Sequence, residues 1–83
     1  MPLFMDVHQK MPEGATLADV PEAHAADMAI QDQYGVNYRH YWVDPDARKI
    51  FCLVEAPSAE AAIAVHREAH GLVADEIFQV EEG

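Results

Sequence analysis

Hydrophobic and polar residues repeat along this chain with two different periods, and these periods predict its secondary structure. A short mixed run at residues 3–8 indicates a first strand, and Pro and Gly mark a loop at residues 11–14. Apolar residues then recur every three to four positions up to Tyr34, as they do in an amphipathic helix. We expect Asp19 to cap this helix, because Pro21 then falls in the first turn, where it costs no backbone hydrogen bond.

The second half of the chain repeats the alternation of strands and a helix. Its predicted elements are a strand at 36–43 rich in aromatic and β-branched residues, a turn at 44–47, a strand at 49–56, a helix from the Ser58 cap to His70, and a strand at 76–80. The two central strands are close enough in sequence to form an antiparallel hairpin. Gly35 and Gly71 suit the left-handed residues that follow the two helices.

The element order β-α-β-β-α-β predicts the ferredoxin-like arrangement, an α+β fold in a single domain over residues 1–83. In this fold a four-stranded antiparallel sheet carries both helices on one face. Tyr38 and Trp42 are expected on the other face, where large side chains would form an exposed apolar patch. A symmetric homodimer that covers this open sheet face is therefore the expected assembly.

The charge balance narrows the possible partners. The 83 residues include 15 Asp and Glu against 5 Lys and Arg, which gives a formal net charge of -10. This balance argues against nucleic acid, since few cations are available to neutralise phosphates, and it disfavours an anionic membrane surface. The single cysteine, Cys52, cannot form an intramolecular disulfide, and no apolar run is long enough to span a bilayer. We expect a soluble cytoplasmic protein that attracts cations.

Two histidines four residues apart are the first candidates for a metal site. His66 and His70 share one face of the second predicted helix, and paired imidazoles are a recurrent ligand arrangement for late first-row divalent ions. Glu68 lies two residues after His66 and points to the far side of the helix, which does not fit the zinc peptidase motif. The alternative without a metal is a protonated His70 that favours the negative end of the helix.

Two further polar pairs have the spacing of metal ligands. His24 and Asp27 lie on the helix stripe that should face the sheet, and Asp6 and His8 point to one side of the first strand. Asp27 would either bind an ion directly or orient a ligating imidazole. The alternatives are a buried His–Asp hydrogen bond for the first pair and a polar dimer interface for the second. The fold order should bring these histidines and the pair on the second helix to one end of the domain.

Cys52 and a possible acid–base pair have simpler interpretations. Cys52 lies mid-strand with Val54 on its face, and a small buried apolar role is the first interpretation of it. Ligation by its thiolate would favour zinc or copper(I) over nickel or cobalt. His24 and Asp27 would act as general acid and base only within a pocket, and the sequence alone indicates none.

Several segments of the chain form a set of distinctive motifs, namely residues 4–8 (FMDVH), 22–24 (EAH) with Asp27, 34–36 (YGV), 51–58 (FCLVEAPS) and 65–71 (VHREAHG). These segments resemble a family of small bacterial proteins that is classified as a domain of unknown function and is typified by a nickel-binding protein. The resemblance implies a ferredoxin-like homodimer that binds nickel near its surface. It further implies that the bound metal is sequestered or detoxified rather than used in catalysis. The histidines of the last segment are the first ligands that it suggests.

We therefore predict a small metal-binding protein, with nickel(II) as the first candidate and other late first-row divalent ions as alternatives. The candidate ligands are the imidazoles and carboxylates of His66, His70, His8, His24, Asp27 and Asp6. Binding should weaken as the pH falls through about 6.5, because protons compete for the imidazoles. Two alternatives stay open. One is a small-ligand-binding or monooxygenase-like dimeric α+β barrel enzyme, and the other is a dimerisation or regulatory module whose histidines are surface residues.

Overall fold

The computed structural model describes residues 1–11 and 18–83. Its elements are β1 (Leu3–His8), α1 (Asp19–Ile30), a 3-10 helix (Gln31–Tyr34), β2 (Asn37–Asp44), β3 (Lys49–Glu55), α2 (Ala59–Ala69) and β4 (Glu76–Val80). Every predicted strand and helix is present, whereas most of the predicted loop at 11–14 lies outside the described residues. None of the described helices is long and apolar enough to cross a membrane.

The sheet has the strand order β2-β3-β1-β4, and each neighbouring pair is antiparallel. This order confirms the predicted ferredoxin-like α+β fold. The register between β1 and β3 sets Asp6 opposite Cys52 and His8 opposite Ile50. Because directly opposite residues share a face of the sheet, Asp6 and Cys52 lie on the same side.

The core lies between the two helices and one face of the sheet. Alternation along β1 puts Phe4, Asp6 and His8 on this helix-facing side. The apolar part of the core consists of Phe4, Val36, Tyr38, Cys52, Val54, Ala56, Ala62 and Val65. The side chains of Asp6, Asp27 and His66 are also buried. Buried ionisable groups require partners, so the contacts of these three side chains locate the candidate site.

A bulge in β2 decides which face Tyr38 occupies. The register between β2 and β3 shifts between Tyr38 and His40, so Tyr38 and Tyr41 both face the helices although they are three positions apart. Tyr38 is only 3% exposed, and the prediction that placed it on the open face is wrong. An unbroken strand would have placed it there, but the bulge adds one residue to β2. Trp42 does lie on the open face, where it is 50% exposed.

The two helices begin in different ways. Asp19 is the first residue of α1 rather than its cap, because the cap position falls on Ala18, whose side chain makes no capping hydrogen bond. The helix α2 begins as predicted, since the Ser58 hydroxyl accepts a hydrogen bond from the Ala61 N–H at 3.2 Å. Gly35 follows the 3-10 helix with a φ of 66°, in the left-handed region that favours glycine.

Candidate metal centre

The imidazole of His66 lies at the centre of a buried polar cluster. The helix α2 directs this side chain toward the sheet, where it is 2% exposed and stacks on Tyr38 with ring centroids 4.5 Å apart. His8 ends β1 and His70 caps α2, and their ring centroids lie 5.2 Å and 4.9 Å from that of His66. The prediction that His8, His24, His66 and His70 meet at one end of the fold is confirmed for His8, His66 and His70.

Asp27 contacts the Nδ1 side of the His66 ring. Its Oδ1 lies 2.8 Å from His66 Nδ1, in a hydrogen bond, and 3.1 Å from His70 Nε2. Asp27 belongs to α1 and is 3% exposed, so its carboxylate links the two helices inside the protein. In the neutral imidazole this contact favours the tautomer with the proton on Nδ1 and the lone pair on Nε2.

Asp6 and His8 lie on the Nε2 side of the same ring. His66 Nε2 is 3.0 Å from Asp6 Oδ2, and His8 Nε2 is 3.5 Å from Asp6 Oδ1. The Tyr38 hydroxyl donates to Asp6 Oδ2 at 2.9 Å, and its oxygen also lies 3.1 Å from the carbonyl oxygen of Ala62. Tyr38 therefore engages one carboxylate oxygen of Asp6 and leaves the other on the side of His8.

Two buried atoms of this cluster have no hydrogen-bond partner within the part of the chain that the structure describes. They are Asp6 Oδ1 and His66 Nε2. The distance between His66 Nε2 and Asp6 is that of an ion pair, but the geometry is not that of a hydrogen bond. Unsatisfied buried polar atoms are rare in native proteins, and a bound ion is one physical explanation for them.

The cluster offers two sets of possible ligands that share His66. The members are Asp6, His8, Cys52 and His66 in one set, and Asp27, His66 and His70 in the other. Within each set the ligand atoms lie within 4.8 Å of one another. A tetrahedral ion with bonds near 2.1 Å needs ligand atoms roughly 3.4 Å apart, so movements of about an ångström would close either set. Carboxylate and imidazole donors of this kind fit late first-row divalent ions.

A pocket of about 170 Å³ opens onto the cluster, and Asp27 and His66 are among the residues that line it. His24 also lines this pocket, but it belongs to neither set of ligands. Its half-buried ring instead packs against Tyr41, with ring centroids 4.9 Å apart. The structure therefore brings five of the six predicted ligands together and leaves His24 apart from them.

Residues 4–80 match the family model of the nickel responsive protein SCO4226-like family. The chain belongs to this family. Its structure is similar to the crystal structure of SCO4226 from Streptomyces coelicolor A3(2), with a TM-score of 0.87 and 43% sequence identity over 98% of both chains. Curated protein sequences gave no significant match. The resemblance that the sequence segments indicated is thereby confirmed.

In this member of the SCO4226-like family, the buried charges shift one another's pKa values. Burial opposes the charged form of His66, but contacts with Asp27 and Asp6 outweigh burial and raise its pKa to about 9. Burial also opposes the charged carboxylates. Contacts with His66 nevertheless hold the pKa values of both acids below their ordinary range. His8 adds to this effect at Asp6, and His70 adds to it at Asp27. An ion that binds His66 near neutral pH must therefore displace a proton from it.

Tyr38 and Cys52 are residues of this cluster that were not among the predicted ligands. Burial, together with the negative charge of Asp6, raises the pKa values of both side chains far above their ordinary range, so each is neutral without a metal. No sequence pattern reveals the bulge that turns Tyr38 inward. Cys52 lies opposite Asp6 only in the register that the structure shows for β1 and β3, and the sequence alone does not fix this register.

Proposed function

We propose that this protein binds a late first-row divalent metal ion, nickel(II) first among them, at the buried cluster around His66. Its role would be to sequester the metal rather than to catalyse a reaction. The observation that supports this most strongly is that two buried atoms, Asp6 Oδ1 and His66 Nε2, have no hydrogen-bond partner among the residues that the structure describes. One is a carboxylate oxygen and the other an imidazole nitrogen, and an ion between them would satisfy both.

The two nitrogens of His66 decide which residues contact the ion. A neutral imidazole has one lone pair, so it binds one ion while its other nitrogen donates a hydrogen bond. Since Asp27 already accepts from Nδ1 at 2.8 Å, we assign the ion to the Nε2 side, where Asp6 and His8 lie. Asp27 would then orient His66 from behind, as carboxylates do in many carboxylate–histidine–metal arrangements. The same Asp27 carboxylate would also contact His70.

The net charge favours a cation, and the family description favours nickel among the candidate cations. The net charge of -10 raises the concentration of cations near the protein. Nickel(II) binds nitrogen and oxygen ligands more tightly than cobalt(II) does and less tightly than copper(II). The description of the family as nickel responsive supports the same choice. The pocket that opens onto the cluster gives the ion a route from solvent.

Titration calorimetry with nickel on protein purified without a histidine tag tests this proposal. The wild type should bind one ion at the cluster, and His66→Gln and His8→Ala should each weaken binding by about 100-fold or more. The matched control is His40→Ala, which removes an exposed imidazole on the open face of the sheet. Wild-type affinity in both cluster variants would contradict the proposal.

We also propose a cytoplasmic homodimer formed through the open face of the sheet. Trp42 and Phe78 lie on this face and are 50% and 49% exposed, which is unusual for such large apolar side chains. The cluster lies on the other side of the sheet. Each protomer would therefore carry its own metal site, independent of the partner.

The pocket supports a second candidate function, the binding or oxidation of a small molecule. Its volume of about 170 Å³ is close to that of cavities that admit a single aromatic ring, and it contains the potential acid–base pair His24 and Asp27. Trp42 and Tyr38 do not line it. A thermal-shift screen with ring-sized aromatic compounds tests this candidate. A rise in Tm that disappears in Ala23→Phe, which fills the pocket, would support it, and no shift with any compound would count against it.

A further inference from the structure

We propose that Cys52 is a fourth metal ligand, so that Asp6, His8 and His66 hold the ion together with a thiolate. This inference rests on the proposed function, because it concerns the same ion. It changes the chemistry of the centre from nitrogen and oxygen ligands alone to a set that includes sulfur. It also assigns a role to a cysteine that would otherwise be a small core residue.

The register of the sheet places Cys52 next to the other ligands. It lies directly opposite Asp6 in the pairing of β1 with β3, on the helix-facing side of the sheet. Its sulfur belongs to the set of four ligand atoms that lie within 4.8 Å of one another. Cys52 is 7% exposed and is one of the residues that line the pocket beside the cluster.

A second observation, independent of the cysteine, indicates a ligand at this position. Asp6 Oδ1 and His66 Nε2 belong to side chains that are 1% and 2% exposed, and neither atom has a hydrogen-bond partner among the described residues. Both side chains contribute to the same set as Cys52. The unpartnered oxygen and nitrogen therefore mark the space that an ion bound to the sulfur would occupy.

Binding of the ion would convert the Cys52 thiol to a thiolate. When the ion binds, the S–H bond breaks, a sulfur–metal bond forms, and the proton leaves to solvent, with no change of oxidation state. The thiolate adds one negative charge to those of the Asp6 and Asp27 carboxylates, and all three attract a divalent ion. A metal ion of this kind deprotonates a coordinating thiol that would be neutral in its absence.

Four protein ligands also suit storage better than catalysis. Structural metal sites are closed by four protein ligands, whereas catalytic sites keep a position open for water or substrate. A soft sulfur ligand shifts the preference of the centre away from magnesium and manganese and toward zinc. Nickel and zinc would therefore compete for the wild-type centre.

Cobalt(II) is a suitable probe, because its absorbance reports both sulfur ligation and coordination number. We would load metal-free wild type, Cys52→Ser and Cys52→Ala with cobalt(II), with His40→Ala as the control and circular dichroism to check folding. The wild type and the control should show sulfur-to-cobalt charge-transfer absorbance in the near ultraviolet, and both cysteine variants should lack it. Cobalt affinity should fall by about tenfold or more in Cys52→Ala.

Competition between metals provides a readout that a purely structural role would not change. The ratio of zinc to nickel affinity should fall about fivefold or more in Cys52→Ser, because the variant replaces the soft sulfur with a hard oxygen in a side chain of the same shape. Wild type that binds cobalt without charge-transfer absorbance would overturn the assignment of Cys52 while the proposed function survives. Wild type that binds neither cobalt nor nickel would overturn both.

Discussion

At the scale of single residues, Asp27 acts on the proposed ion only through His66. It accepts a hydrogen bond from His66 Nδ1 at 2.8 Å and lies 3.1 Å from His70 Nε2. Its negative charge makes the opposite nitrogen of His66 a better metal ligand and holds the ring in one orientation. Asp27 is thus a positioning residue, and its loss should weaken binding without removing a ligand.

Asp27→Asn should lower nickel affinity by roughly 10–100-fold, because the variant keeps an acceptor oxygen for Nδ1 but loses the charge. Asp6→Asn should lower it further, since Asp6 is a proposed ligand. Isothermal titration calorimetry measures both changes. Glu82→Gln, in the exposed C-terminal tail, removes one negative charge elsewhere and is the control. Equal affinity in Asp27→Asn and wild type would rule out a positioning role.

The raised pKa of His66 makes the stability of the metal-free protein depend on pH. Asp27 and Asp6 raise this pKa from 6.5 to about 9, so protonated His66 stabilises the folded state. That contribution is complete below pH 6.5 and is lost as the pH rises through about 9, a change of about 3 kcal/mol at most. Asp6 and Asp27 have lowered pKa values, so their contributions are present above pH 3.8 and are lost on further acidification.

Urea unfolding in the presence of EDTA should therefore give a higher free energy of unfolding at pH 6 than at pH 9. His66→Gln should remove most of this difference, because glutamine does not titrate. Nickel affinity should change in the opposite direction and rise with pH, since the metal competes with the proton on His66. A wild type with equal stability at both pH values would contradict the proposed charge state of His66.

At the scale of elements, the bulge in β2 builds part of the site. It turns Tyr38 toward the helices, where the ring stacks on His66 and the hydroxyl donates to Asp6. Tyr38→Phe would leave Asp6 Oδ2 without this donor in the interior. The free energy of unfolding of the metal-free protein should fall by about 1–3 kcal/mol.

Chemical denaturation of two single variants, Tyr38→Phe and Tyr41→Phe, isolates this effect by comparison. Tyr41→Phe makes the same chemical change at the next helix-facing position of β2, and we expect it to cost less. A loss in Tyr38→Phe no larger than in Tyr41→Phe would show that the hydroxyl contact with Asp6 contributes little.

Local signals in the sequence predicted the elements well, and the exceptions have physical causes. The roles of Ser58 and Gly35 at the helix ends could be predicted, because capping depends on local chemistry and needs no tertiary contact. The predicted cap at Asp19 was wrong, because Asp19 is already the first residue of α1 and the cap position falls on Ala18. The face that Tyr38 occupies depends on a bulge in β2. A bulge is decided by pairing between strands rather than by the order of apolar and polar residues.

At the scale of the whole molecule, the two faces of the sheet have different roles in the proposed account. The helix-facing side holds the ionisable cluster, and the open side exposes Trp42 and Phe78. Trp42→Glu should therefore shift the protein from dimer to monomer, since it places a charge in the proposed interface. Sedimentation equilibrium measures the change, and nickel affinity per chain should stay the same. A wild type that is monomeric at high concentration would contradict the proposed dimer.

The order of elements in the whole fold explains how much of the site could be predicted from the sequence. Asp6, His8, His66 and His70 could be placed together because the ferredoxin-like order brings the end of β1 and the end of α2 to one end of the domain. His24 was also expected there, yet its ring packs on Tyr41 instead. Helical spacing alone did not separate Asp27 from His24, because side chains three residues apart differ by only about 60° in direction, although they lie about 4.5 Å apart along the helix axis.

Anomalous diffraction at the nickel edge from crystals of the nickel-loaded protein tests the central claim most directly. We predict an anomalous peak within bonding distance of His66 Nε2, with Asp6 and His8 as its neighbours and Asp27 still on Nδ1. Nickel peaks only at other sites, with the cluster around His66 unchanged and without metal, would contradict the account.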